Sequence, residues 1–227
     1  MSRAHERETV ARAIGVDLPA GRVEVSSEIV VPDGATTLIA IAHGAGAGMG
    51  HPFLRGIADA FAAAGIATLR FNFPYVEAGR RMPGPAVHAL ATWAAVAAEA
   101  ARTLPGARFV AAGKSYGGRM ASMAAADGTI APAALVYLGY PLHPPGRPEK
   151  PRAAHLPSIP APQLFVEGTD DPFIQPREQF DDVIATCRRA DVLWVDGGGH
   201  SFEVKGVKRS ADEVGASLAA PVLAWLG

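Results

Sequence analysis

A hydroxyl, an imidazole and a carboxyl group gathered in one cleft supply a nucleophile, its base and the group that orients the base. This chain offers Ser115 and His200 for the first two roles and Asp170, Asp171 or Asp196 for the third. A serine hydroxyl is a weak nucleophile at neutral pH, so a base must take its proton as it attacks. The base in turn needs an acid to hold its tautomer and stabilise its cation. Ser115 stands in Gly113-Lys114-Ser115-Tyr116-Gly117, directly after the apolar run Phe109-Val110-Ala111-Ala112 and directly before an alanine-rich helical segment. On such a strand-to-helix corner the serine backbone is strained and its hydroxyl is lifted above the sheet edge. Glycine at 113 and 117 removes side chains that would strike the neighbouring elements. As a string, Gly-x-Ser-x-Gly arises by chance in about one chain in ten of this composition, so its flanks carry the weight.

The flanks agree. Residues 37–42 form an apolar run ending in His43-Gly44-Ala45-Gly46-Ala47-Gly48, a loop slim enough to bring a backbone N–H against a bound oxygen. The expected oxyanion donors are the amides of Tyr116 and Ala45, with Gly44 or Gly46 in place of Ala45 if the loop register differs. Residues 161–167 run into Gly168-Thr169-Asp170-Asp171-Pro172, and residues 192–195 into Asp196-Gly197-Gly198-Gly199-His200. An acid and then a histidine thus follow the serine, each just past a strand. Asp170 and Asp171 point in different directions, so one of them faces His200, and Asp196 is a third possibility. Among the other histidines, His43 is expected to order the oxyanion loop. His5 and His88 belong to no motif, and His51, His143 and His155 lie in segments able to line a pocket. The stretch Phe71-Asn72-Phe73-Pro74-Tyr75 also follows a strand. Gly44, Asn72, Tyr75 and His143 are therefore the expected substrate contacts. Arg80 or Arg81 swung toward Ser115 would attract a substrate carboxylate. Lys114 is expected either to form a salt bridge within the fold or to bias the mouth toward acidic substrates.

Strands and helices alternate along the chain. Strand-like runs lie at about 22–31, 36–42, 66–71, 107–112, 133–138, 162–167 and 191–195. Helical segments lie near 51–64, 85–103, 115–127, 175–189 and 210–225. Continuous apolar strands between amphipathic helices predict an α/β fold, with a doubly wound, mostly parallel sheet of about seven strands covered on both faces. Val23 to Val31 alternates instead, which suits an antiparallel edge strand. Between Tyr140 and Pro160 the prolines are too dense for a helix or a central strand, leaving a loop and no cap domain.

At 227 residues, 49% of them hydrophobic, one core and one domain are expected, spanning 21–227 after an N-terminal extension of residues 1–20. A formal net charge of −1 without a Lys/Arg run argues against nucleic acid or an anionic membrane as partner. The start of the chain lacks an apolar leader, and no run reaches the roughly 18 apolar residues of a membrane span, so a cytoplasmic location is expected. Cys187 stands alone, which removes any intrachain disulfide, and its neighbours suggest a buried helix face. No Cys/His cluster has metal-ligand spacing, so neither metal nor cofactor is expected.

The order Ser…Asp…His on this alternating pattern resembles the α/β-hydrolase superfamily from about Val23 onward. Within it, Gly-Lys-Ser-Tyr-Gly-Gly-Arg at 113–119, Leu-Gly-Tyr-Pro-Leu-His-Pro-Pro at 138–145, His155-Leu156 and Leu-Phe-Val-Glu-Gly-Thr-Asp-Asp-Pro-Phe at 164–173 resemble the small, lidless dienelactone-hydrolase-like family. That family also takes in animal relatives, some of which serve as subunits of complexes. The resemblance implies Asp171 as the acid, since such relatives carry Gly-x-x-Asp-Pro after the strand. It also implies hydrolysis of a small ester, thioester or lactone through an acyl-enzyme. The alternative is a hydrolase-like binding or scaffold protein without turnover.

Overall fold

The computed structural model describes residues 9–227. Its centre is one eight-stranded sheet, built from β1 (Thr9–Leu18), β2 (Gly21–Val30), β3 (Thr37–Ala42), β4 (Ala67–Phe71), β5 (Arg108–Lys114), β6 (Ala134–Leu138), β7 (Gln163–Gly168) and β8 (Ala190–Val195) in the order β1-β2-β4-β3-β5-β6-β7-β8. Strands β3 to β8 run parallel, and β2 pairs antiparallel with both β1 and β4. β2 is antiparallel as expected but sits second from the edge. The edge itself is β1, ten residues within the stretch assigned from sequence to an N-terminal extension; the part of that extension before residue 9 lies outside the described residues. Only Ile14 and Val16 of β1 are buried and apolar, so its period-two signal is too short to stand out.

Alternate residues of each central strand feed opposite faces. Leu38, Ala40 and Ala42 of β3 pack on one side with Phe71, Trp93 and Phe165, while Ile39 and Ile41 pack on the other with Phe53, Ile57 and Val222. Helices α3 (Ala86–Thr103), α4 (Tyr116–Ala126) and α5 (Arg177–Thr186) cover the first face, and α1 (Pro52–Ala63), α6 (Ala211–Ser217) and α7 (Ala219–Leu226) the second. A one-turn helix, α2 (Pro74–Glu77), opens the loop after β4. The single helix expected over 210–225 is divided at Leu218. Pro221 has no N–H to bond the turn before it, and its ring crowds the carbonyl of Ser217, so the chain ends one helix and starts another. Cys187 caps α5 and is half-buried, its thiol donating to the Val183 carbonyl, rather than lying on a buried face.

The segment from Tyr140 to Pro160 contains only the short 3₁₀ turn Leu156–Ser158. It is folded on itself, with the Arg152 N–H on the Leu142 carbonyl (2.7 Å) and the Tyr140 hydroxyl on the Arg152 carbonyl (2.7 Å). Among the described residues no cap domain stands over the sheet, and no helix is long and apolar enough to cross a membrane. Ser115, Asp171 and His200 all follow the carboxyl ends of parallel strands, the edge at which open α/β sheets place their sites.

Candidate active site

The turn between β5 and α4 is strained at a single residue. Ser115 has φ 48° and ψ −112°, a conformation that costs a non-glycine residue of order 1–3 kcal/mol and persists only where its surroundings enforce it. The enforcement is visible. A Cβ on Gly113 would lie 2.3 Å from the Gly118 nitrogen, and one on Gly117 would lie 2.6 Å from the His43 carbonyl oxygen. The backbone therefore closes around the serine only because those positions are glycine. The Ser115 N–H is fixed on the Leu138 carbonyl of β6 at 3.0 Å.

His200 Nε2 lies 2.9 Å from Ser115 Oγ, and His200 Nδ1 lies 2.7 Å from Asp171 Oδ2. The tautomer with its proton on Nδ1 satisfies both contacts, donating to the acid and accepting from the hydroxyl. Asp171 is fully buried, and its other oxygen accepts the Phe173 N–H at 2.8 Å. The Phe173 ring stacks on the imidazole with centroids 4.0 Å apart, so both the plane and the edge of His200 are held. Burial pushes the His200 pKa below its ordinary value, against the pull of the hydrogen bond to Asp171. The lowered pKa favours a neutral imidazole, whose Nε2 can accept from the Ser115 hydroxyl it faces. Asp170 is exposed, with its N–H bonded to the Gly198 carbonyl, and Asp196 is also exposed. Of the three acids considered, the structure brings Asp171 to the histidine.

The loop after β3 rests on His43. Its Nδ1 lies 2.8 Å from the Gly44 carbonyl and its Nε2 accepts the Phe73 N–H at 3.1 Å. Burial lowers its pKa, which suits a neutral ring acting as a brace. Ala45 and Tyr116, the expected oxyanion donors, line the same cavity as Ser115 and His200. As the first residue of α4, Tyr116 has an amide with no acceptor inside its own helix. Gly44 lines the cavity too; a Cβ there would sit 3.8 Å from the Ser115 Cβ.

Three expected substrate contacts are placed elsewhere. The Asn72 side chain accepts the Met49 N–H (2.8 Å) and donates to Glu77 (2.9 Å), tying two loops together. Tyr75 is buried against His43 and Tyr116, with its hydroxyl 3.4 Å from the Gly44 carbonyl, so it supports the loop from beneath. His143 is fully buried, with Nδ1 on the Pro144 carbonyl at 2.9 Å. Each follows a strand as a site residue would, yet its side chain turns into the protein. Arg80 and Arg81 are exposed and do not line the cavity.

The cavity itself measures about 590 Å³. Its lining includes cations that sequence reasoning did not assign to it: Arg119, Arg152 and Arg209. Arg119 lies one turn after Ser115 on α4, so its spacing from the serine was a usable signal. Arg152 comes from the proline-rich loop, whose path has no periodicity to read. The two guanidiniums lie close enough that Arg152 lowers the pKa of Arg119, after burial, and the buried Arg119 Nε has no hydrogen-bond partner among the described residues.

A family model described as an alpha/beta hydrolase domain matches residues 35–226. Among solved structures, a dienelactone hydrolase from Anabaena variabilis superimposes with a TM-score of 0.74 at 22% identity, covering 96% of this chain and 97% of that one. A lidless α/β serine hydrolase from Xanthomonas campestris gives 0.71 at 21% identity, covering 96% of each chain. Est1E from Butyrivibrio proteoclasticus, with ferulic acid bound, gives 0.72 at 17% identity, covering 94% of this chain and 99% of that one. At these identities the structures share the fold.

Proposed function

The chain belongs to the α/β-hydrolase domain family, and from that premise we propose that it is a serine hydrolase cleaving a small ester, thioester or lactone through an acyl-enzyme. The observation that carries this reading is the continuous chain Ser115 Oγ, His200, Asp171, with contacts of 2.9 and 2.7 Å at a strained corner facing a cavity. Ser115 Oγ attacks the carbonyl carbon while His200 Nε2 takes its proton, and the oxygen that becomes negative meets the amides of Tyr116 and Ala45. His200 then gives the proton to the departing alkoxide or thiolate. Water repeats the sequence on the acyl-serine: it loses its proton to His200, adds to the carbonyl, and releases the acid as Ser115 recovers its proton.

The cationic lining favours a substrate with an acidic group. Arg119 and Arg152 both line the cavity, and neither forms an ion pair among the described residues. Like charges held together without a counter-ion gain most from a carboxylate that can take both. The lining also carries Glu203, so the preference is local to the arginines. The test is rapid-mixing hydrolysis of nitrophenyl acetate and of a nitrophenyl ester with a terminal carboxylate. The reading expects a burst of one equivalent of nitrophenol, abolished in Ser115→Ala, and a higher kcat/KM for the acidic ester that Arg119→Ala lowers about tenfold. A folded wild type without a burst or turnover would favour the binding-protein alternative.

A further inference from the structure

Lys114 is a half-buried cation on the cavity lining, and its position needs an explanation. Taking an ammonium out of water is expensive unless a partner compensates it, and no carboxylate lies within ion-pair distance among the described residues. Its Nζ instead donates to the main-chain carbonyl of His200 at 2.8 Å. The salt bridge expected from sequence is thus replaced by a tie to the backbone of the proposed base. The site is built to receive it. Gly139, at φ 71°, passes so close that a Cβ there would lie 3.1 Å from Nζ and 3.0 Å from the His200 oxygen, and the Phe202 ring lies 5.6 Å from Nζ. Phe202 holds φ 67°, a second left-handed non-glycine residue, two positions after His200.

We propose that Lys114 is a positioning residue for the catalytic histidine, holding the His200 main chain in register with Ser115 and keeping the imidazole uncharged until it takes the serine proton. Asp171 and Phe173 orient the His200 ring, but neither holds its backbone. Lys114 is the residue next to the nucleophile in sequence, so its side chain ties the loop after β8 directly to the end of β5, across 86 positions of chain. The charge acts in the same place as the tether. The groups facing His200 are Asp171 and Glu203, which favour its cation, and Lys114, which opposes it; those facing Lys114 are Asp171, Glu167 and Glu203. Burial lowers the Lys114 pKa to about 8, so it carries its charge through the neutral range. The tie to the carbonyl survives when the imidazolium forms, because it uses main chain and not ring.

The inference rests on the serine-hydrolase reading and is tested apart from it. The variants are Lys114→Met, which keeps the stem and removes donor and charge, and Lys114→Arg, which keeps a charged donor. Lys114→Met is expected to lower kcat about tenfold or more with KM within about twofold, and to move the acidic limb of kcat/KM to higher pH. The His200 ring titration, followed by NMR in a Ser115→Ala background where no turnover occurs, should rise by about half a unit or more on adding Lys114→Met. Lys114→Arg should keep the titration near its starting point. A Lys114→Met protein that loses activity while the limb and the His200 titration stay fixed would reduce Lys114 to a packing role and overturn the proposal, as would unchanged kcat. If Lys114→Met does not fold, the Lys114→Arg titration decides, since a shift there despite the retained charge contradicts the assignment. Failure of the hydrolase reading is seen separately, as a folded wild type without turnover or as turnover that survives Ser115→Ala.

Discussion

Replacing Asp171 by asparagine changes one atom and should cost about four orders of magnitude in rate. The reason lies in the second oxygen of the carboxyl group. Asp171 Oδ1 accepts the Phe173 N–H at 2.8 Å, and Oδ2 faces His200 Nδ1 at 2.7 Å. In the asparagine variant the Phe173 N–H still demands an acceptor, so the amide oxygen takes that side. The NH₂ group is then turned toward the imidazole, which must accept at Nδ1 and carry its proton on Nε2. That tautomer presents a hydrogen to Ser115 where a lone pair is needed. The fold should be unharmed, because the amide is isosteric with the carboxylate and keeps an oxygen for the Phe173 N–H. A wrong-tautomer defect of this kind lowers kcat by about 10⁴, equivalent to roughly 5.5 kcal/mol of transition-state stabilisation. Steady-state hydrolysis of nitrophenyl acetate measures it, with Asp170→Asn as the comparison, since Asp170 is exposed and its backbone alone is engaged. Asp170→Asn should stay within about twofold of wild type. An Asp171→Asn variant within tenfold of wild type, or a crippled Asp170→Asn, would refute the reasoning.

Because burial lowers the His200 pKa, protonation that silences the base occurs only below its ordinary value of about 6.5. A pH profile of kcat/KM should therefore show its acidic limb below that value, and a limb above it would contradict the burial argument. Gly117→Ala should destabilise the protein by about 3 kcal/mol, since the added methyl meets the His43 carbonyl and the Ala42 side chain at under 3 Å and the carbonyl is backbone that cannot swing aside. Urea unfolding followed by circular dichroism measures the loss. Without a cap to build an apolar tunnel, kcat/KM across nitrophenyl esters should peak at short acyl chains and gain nothing from micelles. A maximum at long chains, or a sharp rise on adding micelles, would move the protein toward lipase-like behaviour.

What was legible in the sequence is what local geometry alone requires. The corner around Ser115 needs glycine at two fixed positions, and the continuous apolar strands need helices on both faces, so both could be read without tertiary information. Asp171 and His200 follow strands closely enough that topology delivers them to one edge. Side-chain direction in loops was not legible. Asn72, Tyr75 and His143 occupy positions that open onto that edge, yet each turns inward to satisfy a backbone donor, a backbone acceptor or an aromatic neighbour. Arg152 could not be placed because a proline-rich loop has no period. β1 was missed because an edge strand with two buried apolar residues barely alternates.

The central claim is that Ser115 is a nucleophile activated by His200. Its most direct test is intact-mass analysis after treatment with a fluorophosphonate, which reacts only with an activated serine. Wild type should give a single adduct, mapped by peptide sequencing to Ser115, absent in Ser115→Ala and formed far more slowly in His200→Ala. An adduct that persists in Ser115→Ala, or a folded wild type left unmodified, would contradict it.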